Sequence, residues 1–163
     1  MQPWNERPTE IARLLNPAFC SIIIREAVRG FSDQGEDGMP YPLAFLVLPI
    51  VLHRSTRNAL PNTIATKMHP WIEQHQQVRV DFARRCAAII EHTREGLIYA
   101  AANELLEFSD EAEILIRRKR LRLPNWPNDS EPTSCLDRAR FLGRWLSQAG
   151  NTATVFAMWG VRP

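Results

Sequence analysis

The feature that most constrains this chain is the run Leu43-Ala-Phe-Leu-Val-Leu-Pro-Ile-Val-Leu52. Its ten consecutive apolar residues are followed at once by His53-Arg54-Ser55-Thr56-Arg57. Crossing a bilayer takes about 20 such residues, so a run half as long with a proline in it is not a span. A helix that is apolar all round is buried on every side, and Pro42 stands where a helix can begin. Pro49 then falls two turns in. It removes one backbone hydrogen bond, which costs about 3 kcal/mol in an ordinary helix interior, and so predicts a kink. The same proline speaks against a central strand. The polar set His53, Arg54, Thr56 and Arg57 has two readings. It can be a site at the mouth of a buried helix, where the planar fork of Arg57 suits a buried carboxylate or a partner's acidic residue. It can also be a plain helix-end cluster whose cations complement the macrodipole.

The rest of the chain supplies enough apolar material to bury such a helix. It has 163 residues, 45% hydrophobic and 23% charged, which suits one globular domain with its own core. A helix is expected over residues 9–15, and Asn16-Pro17 reads as a cap and first position for a longer one reaching about Gly30. In that second helix Phe19, Cys20, Ile23, Ile24, Ala27, Val28 and Phe31 form one broad stripe. Asn62 or Thr63 is expected to cap a helix through Trp71. Val78–Ile90 and Thr93–Leu105 read as two further helices. The apolar period then shortens to two around Ser109–Ala112, which predicts a β-hairpin with Leu106, Phe108, Ile114 and Ile116 on one face. Thr133 or Ser134 is expected to cap a last helix ending before Gly150. Thr152–Trp159, apolar on both faces, reads as a C-terminal strand.

The fold class expected is therefore α+β and mostly helical: a winged helix-turn-helix-like core with a short β-hairpin and a C-terminal strand. Its expected organisation is a single domain over 1–163, with N-terminal helices over 9–61, the winged-helix-like core over 62–118, and the helix and strand over 133–163.

Little in the sequence points to catalysis. The four histidines form no H-E-x-x-H and no i,i+4 pair, and the three cysteines are far apart with no C-x2-C, so no metal site is expected. There is no G-x-S-x-G elbow, and the seven glycines are scattered rather than gathered in a phosphate-cradling loop. The acidic group Asp110, Glu111 and Glu113 reads as a solvated turn. No catalytic residue, cofactor or metal is assigned. The N-terminus lacks a basic region followed by an apolar one, so no signal peptide and a cytoplasmic location are expected.

Net charge is only +2, so local clusters carry more information than the total. Arg117, Arg118, Lys119, Arg120 and Arg122 place five cations in six residues, just past the expected hairpin. Such a run can lie along a phosphate backbone with steep salt dependence, dock an acidic partner, or simply be solvated. The helix that would read bases, Thr93–Leu105, offers Arg94 among Glu95, Gly96, Ala100, Ala101, Ala102, Asn103 and Glu104. That set suits close packing better than base recognition.

Three segments carry a resemblance: "NPAFC" at Asn16–Cys20, "GMPYPLAFLVLPIVLHRSTRNALP" at Gly38–Pro61, and the terminal "TATVFAMWGVRP". In the same order along nearly the whole chain, they resemble the middle component of bacterial three-component ABC ATPase systems, related to the Lamassu type. The resemblance implies a small non-enzymatic adaptor acting beside an SMC-like ABC ATPase and an effector protein, in defence against phage and plasmids. It implies no catalytic residue and no cofactor. DNA contact is possible through the complex or the basic run, and no membrane is involved.

Overall fold

The computed structural model describes residues 15–35, 37–117 and 120–162. The expected helix over 9–15 lies outside these apart from Leu15. Seven α-helices and three short strands are found among the described residues. The first helix, α1 (Pro17–Ser32), begins as its sequence dictates. Asn16 accepts a hydrogen bond from the Ala18 amide at 2.9 Å, and Pro17 takes the first position. Residues on nearly every side of α1 are buried, from Cys20 to Phe31, which makes it the central helix of the molecule.

A two-residue strand β1 (Met39–Pro40) and a 3-10 turn (Tyr41–Leu43) lead into α2 (Ala44–Val51). The apolar run is buried as expected: Leu46, Val47, Leu48, Ile50 and Val51 have no exposed surface. Pro49 lies inside α2. The polar end does not continue this helix. His53 turns to an extended backbone (ψ 103°), and α3 (Arg54–Ala59) starts afresh.

The helix expected to be capped by Asn62 or Thr63 instead begins at Met68, as α4 (Met68–Gln74), with Lys67 at the cap position and no side-chain cap. The Thr63 hydroxyl accepts from the Ala65 amide in a local turn, the competing use to which Ser and Thr are prone.

The two helices read at Val78–Ile90 and Thr93–Leu105 are one, α5 (Phe82–Ala102), preceded by a 3-10 turn over Gln76–Arg79. The helix-turn-helix expected there is not formed. Thr93 does not cap; its hydroxyl donates to the Ile89 carbonyl one turn back at 3.2 Å, which holds the helix through this point. Gly96 does not break α5 because it meets α1. A Cβ there would come 3.1 Å from that of Cys20.

The hairpin is present as β2 (Leu106–Phe108) and β3 (Glu113–Ile116), with the expected four-residue loop. Leu106 pairs with Ile116 and Phe108 with Ile114, so the four share a face. β1 adds antiparallel on the other side of β3, giving the order β1-β3-β2 and leaving Pro40 on an edge strand, where its missing N–H is tolerated.

After the segment 120–130 comes α6 (Glu131–Ser147), capped by the Ser130 hydroxyl on the Thr133 amide, three residues before the expected cap. It packs along α1 more extensively than any other pair of elements. The two backbones touch where side chains vanish: a Cβ on Gly143 would run into the Ala27 carbonyl, and one on Gly30 into the Arg140 carbonyl.

The expected C-terminal strand is a helix, α7 (Thr152–Trp159). The sequence read as apolar on two faces because its alanines were counted with Val155, Phe156 and Trp159. Only those three are buried, at i, i+1 and i+4, a helical spacing. Asn151 caps the start by accepting from the Thr154 amide at 2.9 Å, and Gly160 (φ 71°) closes the end in the left-handed region. Trp159 joins Trp71, Trp145 and Phe82 in an aromatic cluster, with ring centroids 4.8 to 6.3 Å apart. No helix among the described residues is long and apolar enough to cross a membrane.

Candidate functional site

The structure brings the polar set after α2 into one cluster with residues far away in sequence. Breaking the chain at His53 leaves the last carbonyl of α2, on Val51, without a helical partner. The Arg57 guanidinium supplies one: Nη1 donates to it at 2.8 Å. The same nitrogen reaches the Cys135 Sγ at 3.3 Å, and Nη2 donates to Glu131 Oε1 at 2.7 Å. The Arg57 side chain is 3% exposed and that of Glu131 59%. Arg57 thus joins the C-terminus of α2 to the first turn of α6, where a carboxylate is also favoured by the helix dipole. The hydrogen bond from Arg57, then its charge, then that of Arg54, hold the Glu131 carboxyl below its ordinary value.

His53 and Thr56 belong to the same corner. His53 Nδ1 lies 2.7 Å from Thr56 Oγ1. Burial, and then the nearby Arg85 charge, push the imidazole pKa down, which favours the neutral ring. Arg54 is exposed on the outer side of α3. His53, Thr56 and Arg57 are therefore gathered, and Arg54 stands at the rim.

Two arginines complete the corner that the sequence reading did not single out. Arg85, from α5, donates to the carbonyls of Val78 and Val80 at 3.1 and 2.7 Å and reaches Thr56 Oγ1 at 3.4 Å. Arg138, from α6, donates to the Leu60 and Pro61 carbonyls and lies over the Phe141 ring at 4.7 Å. A signal for Arg138 existed: it falls at i+3 from Cys135 and i−4 from Leu142, a cation on an apolar stripe. Arg85 follows Phe82 by three and precedes Cys86, and could have been found the same way.

The basic run is less concentrated than its sequence suggests. Arg117 follows β3, is exposed, and sits 3.4 Å from Glu104. Arg120 and Arg122 are exposed, and Leu121 between them packs against the core. Arg118 and Lys119 lie outside the described residues. The hairpin tip itself is acidic, carrying Asp110 and Glu111.

Among the described residues no group of three or more His, Cys, Asp or Glu is placed to hold a metal ion. The three thiols are buried and free. Burial pushes Cys20 up to about 12 and Cys86 to about 11, and raises Cys135, so all three stay protonated near neutrality.

The class defined by these features is a mostly helical α+β protein with a small antiparallel sheet and a polar corner whose hydrogen bonds, among the described residues, are internal. A family model, that of Middle Component 3 of the ABC-three component (ABC-3C) system, matches residues 4–163, and the chain belongs to that family. Comparisons with curated proteins and with solved structures found no match.

Proposed function

We propose that this middle component is a non-enzymatic, cytoplasmic adaptor. It bridges an SMC-like ABC ATPase and an effector within an ABC-three component system that acts against phage and plasmids. The observation that carries this reading is the outer face of α5. Over five turns it offers solvent mainly small and apolar residues, with Ile98 61% and Tyr99 39% exposed, beside the equally open Phe108 of β2. Exposed aromatic and aliphatic side chains gathered in one place are what protein-binding surfaces use.

The test is co-expression with the two neighbouring components of the same system. The expected result is a complex that survives size exclusion and contains this chain with both. A chain that elutes alone from both overturns the adaptor reading.

A DNA-binding winged helix is the second reading, and one observation favours it. The order α1, β1, α2, then, past α3 and α4, α5 and the hairpin, with β1 against β3, is similar to the strand and helix order of winged-helix domains. In that register α5 is the reading helix, yet its outer face carries few cations. DNA contact would then fall to Arg117–Arg122. Replacing Arg117, Arg118, Lys119 and Arg120 by Ala should abolish salt-dependent DNA binding; unchanged affinity rejects the reading.

A further inference from the structure

Two hollows adjoin along one side of α5, of about 260 and 650 Å³, and they share Tyr41 and Arg94. The first runs between α2, α7 and α5, walled by Phe45, Leu46, Ile90 and Val161. The second continues over Leu97, Ile98, Ala101 and Phe108. Together they follow α5 from Cys86 to Ala102, which at 1.5 Å per residue is about 24 Å. The Tyr41 ring stands at the waist, packed edge-on against Phe45 at 5.4 Å and Phe108 at 6.0 Å. The floor is therefore shaped by interlocked aromatic rings rather than by loose side chains.

The charges on this trough have one sign. Its lining includes Arg94 at the centre and Arg162 at one end, and no Asp or Glu. Arg94 pairs with Glu91 on its own helix, but both side chains are more than half exposed. Such a pair contributes little and is readily exchanged for a better-placed carboxylate.

We propose that this trough receives an amphipathic helix of a partner subunit. Its apolar side fills the two hollows, and carboxylates near its middle and one end meet Arg94 and Arg162. The length suits about four turns, and the mode is an apolar helix face laid into a groove. This rests on the adaptor reading above and names the surface that reading requires.

The test uses the full chain and, as probes, the purified ABC ATPase and third component of its own system. Ile98→Glu and Phe108→Glu change exposed residues and should keep the melting temperature, yet weaken binding to one component at least about tenfold. Arg94→Glu should weaken it as well. Val80→Glu, at a 64% exposed position away from the trough, should leave it unchanged. A photo-crosslinker at position 98 should capture a helix bearing Asp or Glu beside apolar residues.

Wild-type binding that all three trough variants retain overturns this inference and leaves the adaptor reading standing. Failure of the wild-type chain to bind either component overturns the adaptor reading itself. A doubled mass in solution that Ile98→Glu abolishes makes the occupant a second copy and also overturns the proposal.

Discussion

At the scale of single residues, Arg57 carries more contacts with distant structure than its neighbours on α3. It satisfies a helix-terminal carbonyl, meets a thiol and binds a carboxylate, three acceptors from two other helices. Arg57→Ala leaves the buried Val51 carbonyl unpaired, an omission that costs about 1–3 kcal/mol. Urea melts should show that loss for Arg57→Ala. Arg57→Lys should recover little of it, because an ammonium cannot span the fork. An Arg57→Ala variant that melts like the wild type would remove the clamp from the account.

The pH dependence follows from the same corner. Glu131 has a folded pKa below its ordinary 4.5, so the unfolded chain takes the proton first. Its contribution is therefore present above about pH 4.5 and lost as pH falls through the folded value. His53 also has a folded pKa below its ordinary 6.5. Stability thus begins to drop as pH falls below about 6.5 for that group. Glu131→Gln should flatten the lower part of the stability curve and His53→Gln the upper part. Identical curves for wild type and both variants would contradict the assignment.

The contact between α1 and α6 sets the tolerance of the fold at the scale of its elements. At Gly143 and Gly30 the neighbour is backbone, which cannot rotate aside as a side chain can. Gly143→Ala should destabilise by about 1–3 kcal/mol through overpacking, even though alanine is the better helix former. A melting temperature that rises instead would mean the helices can part at no cost.

How legible each element was in the sequence follows from the range of the forces that form it. Asn16-Pro17 announced α1 because a cap and a first-turn proline act locally. The hairpin was readable because its period and turn are local too. The fusion of two expected helices into α5 was not, because Gly96 is acceptable there only through Cys20, 76 positions away. The terminal helix was hidden by alanines, whose apolar count conceals that Ala153 and Ala157 face solvent. In the polar corner, Arg57 stood out beside its apolar run. Its partners Glu131 and Cys135 lie in another part of the chain, and no local pattern joins them.

At the scale of the whole molecule, packing joins residues far apart in sequence. The buried core runs from Cys20 through Leu46, Phe82 and Ile114 to Trp159, so every part contributes to one interior. Thermal unfolding followed by far-ultraviolet circular dichroism and by tryptophan fluorescence should give coincident single transitions. The fluorescence reports the cluster around Trp145 and Trp159, and the dichroism all helices. Separate midpoints would show that the segments fold apart.

The pairing of α1 with α6 also bears on how the chain is made. Their contacts join residues more than 100 positions apart, as where Gly143 meets the Ala27 carbonyl. A ribosome releases residues in order, so Ala27 and Gly30 emerge long before Arg140 and Gly143 exist to cover them. Docking must wait until Glu131–Ser147 has been made, and contacts of such long range slow folding. During that interval the nascent helix presents bare apolar surface, a window in which chaperones or a subunit translated alongside can bind it.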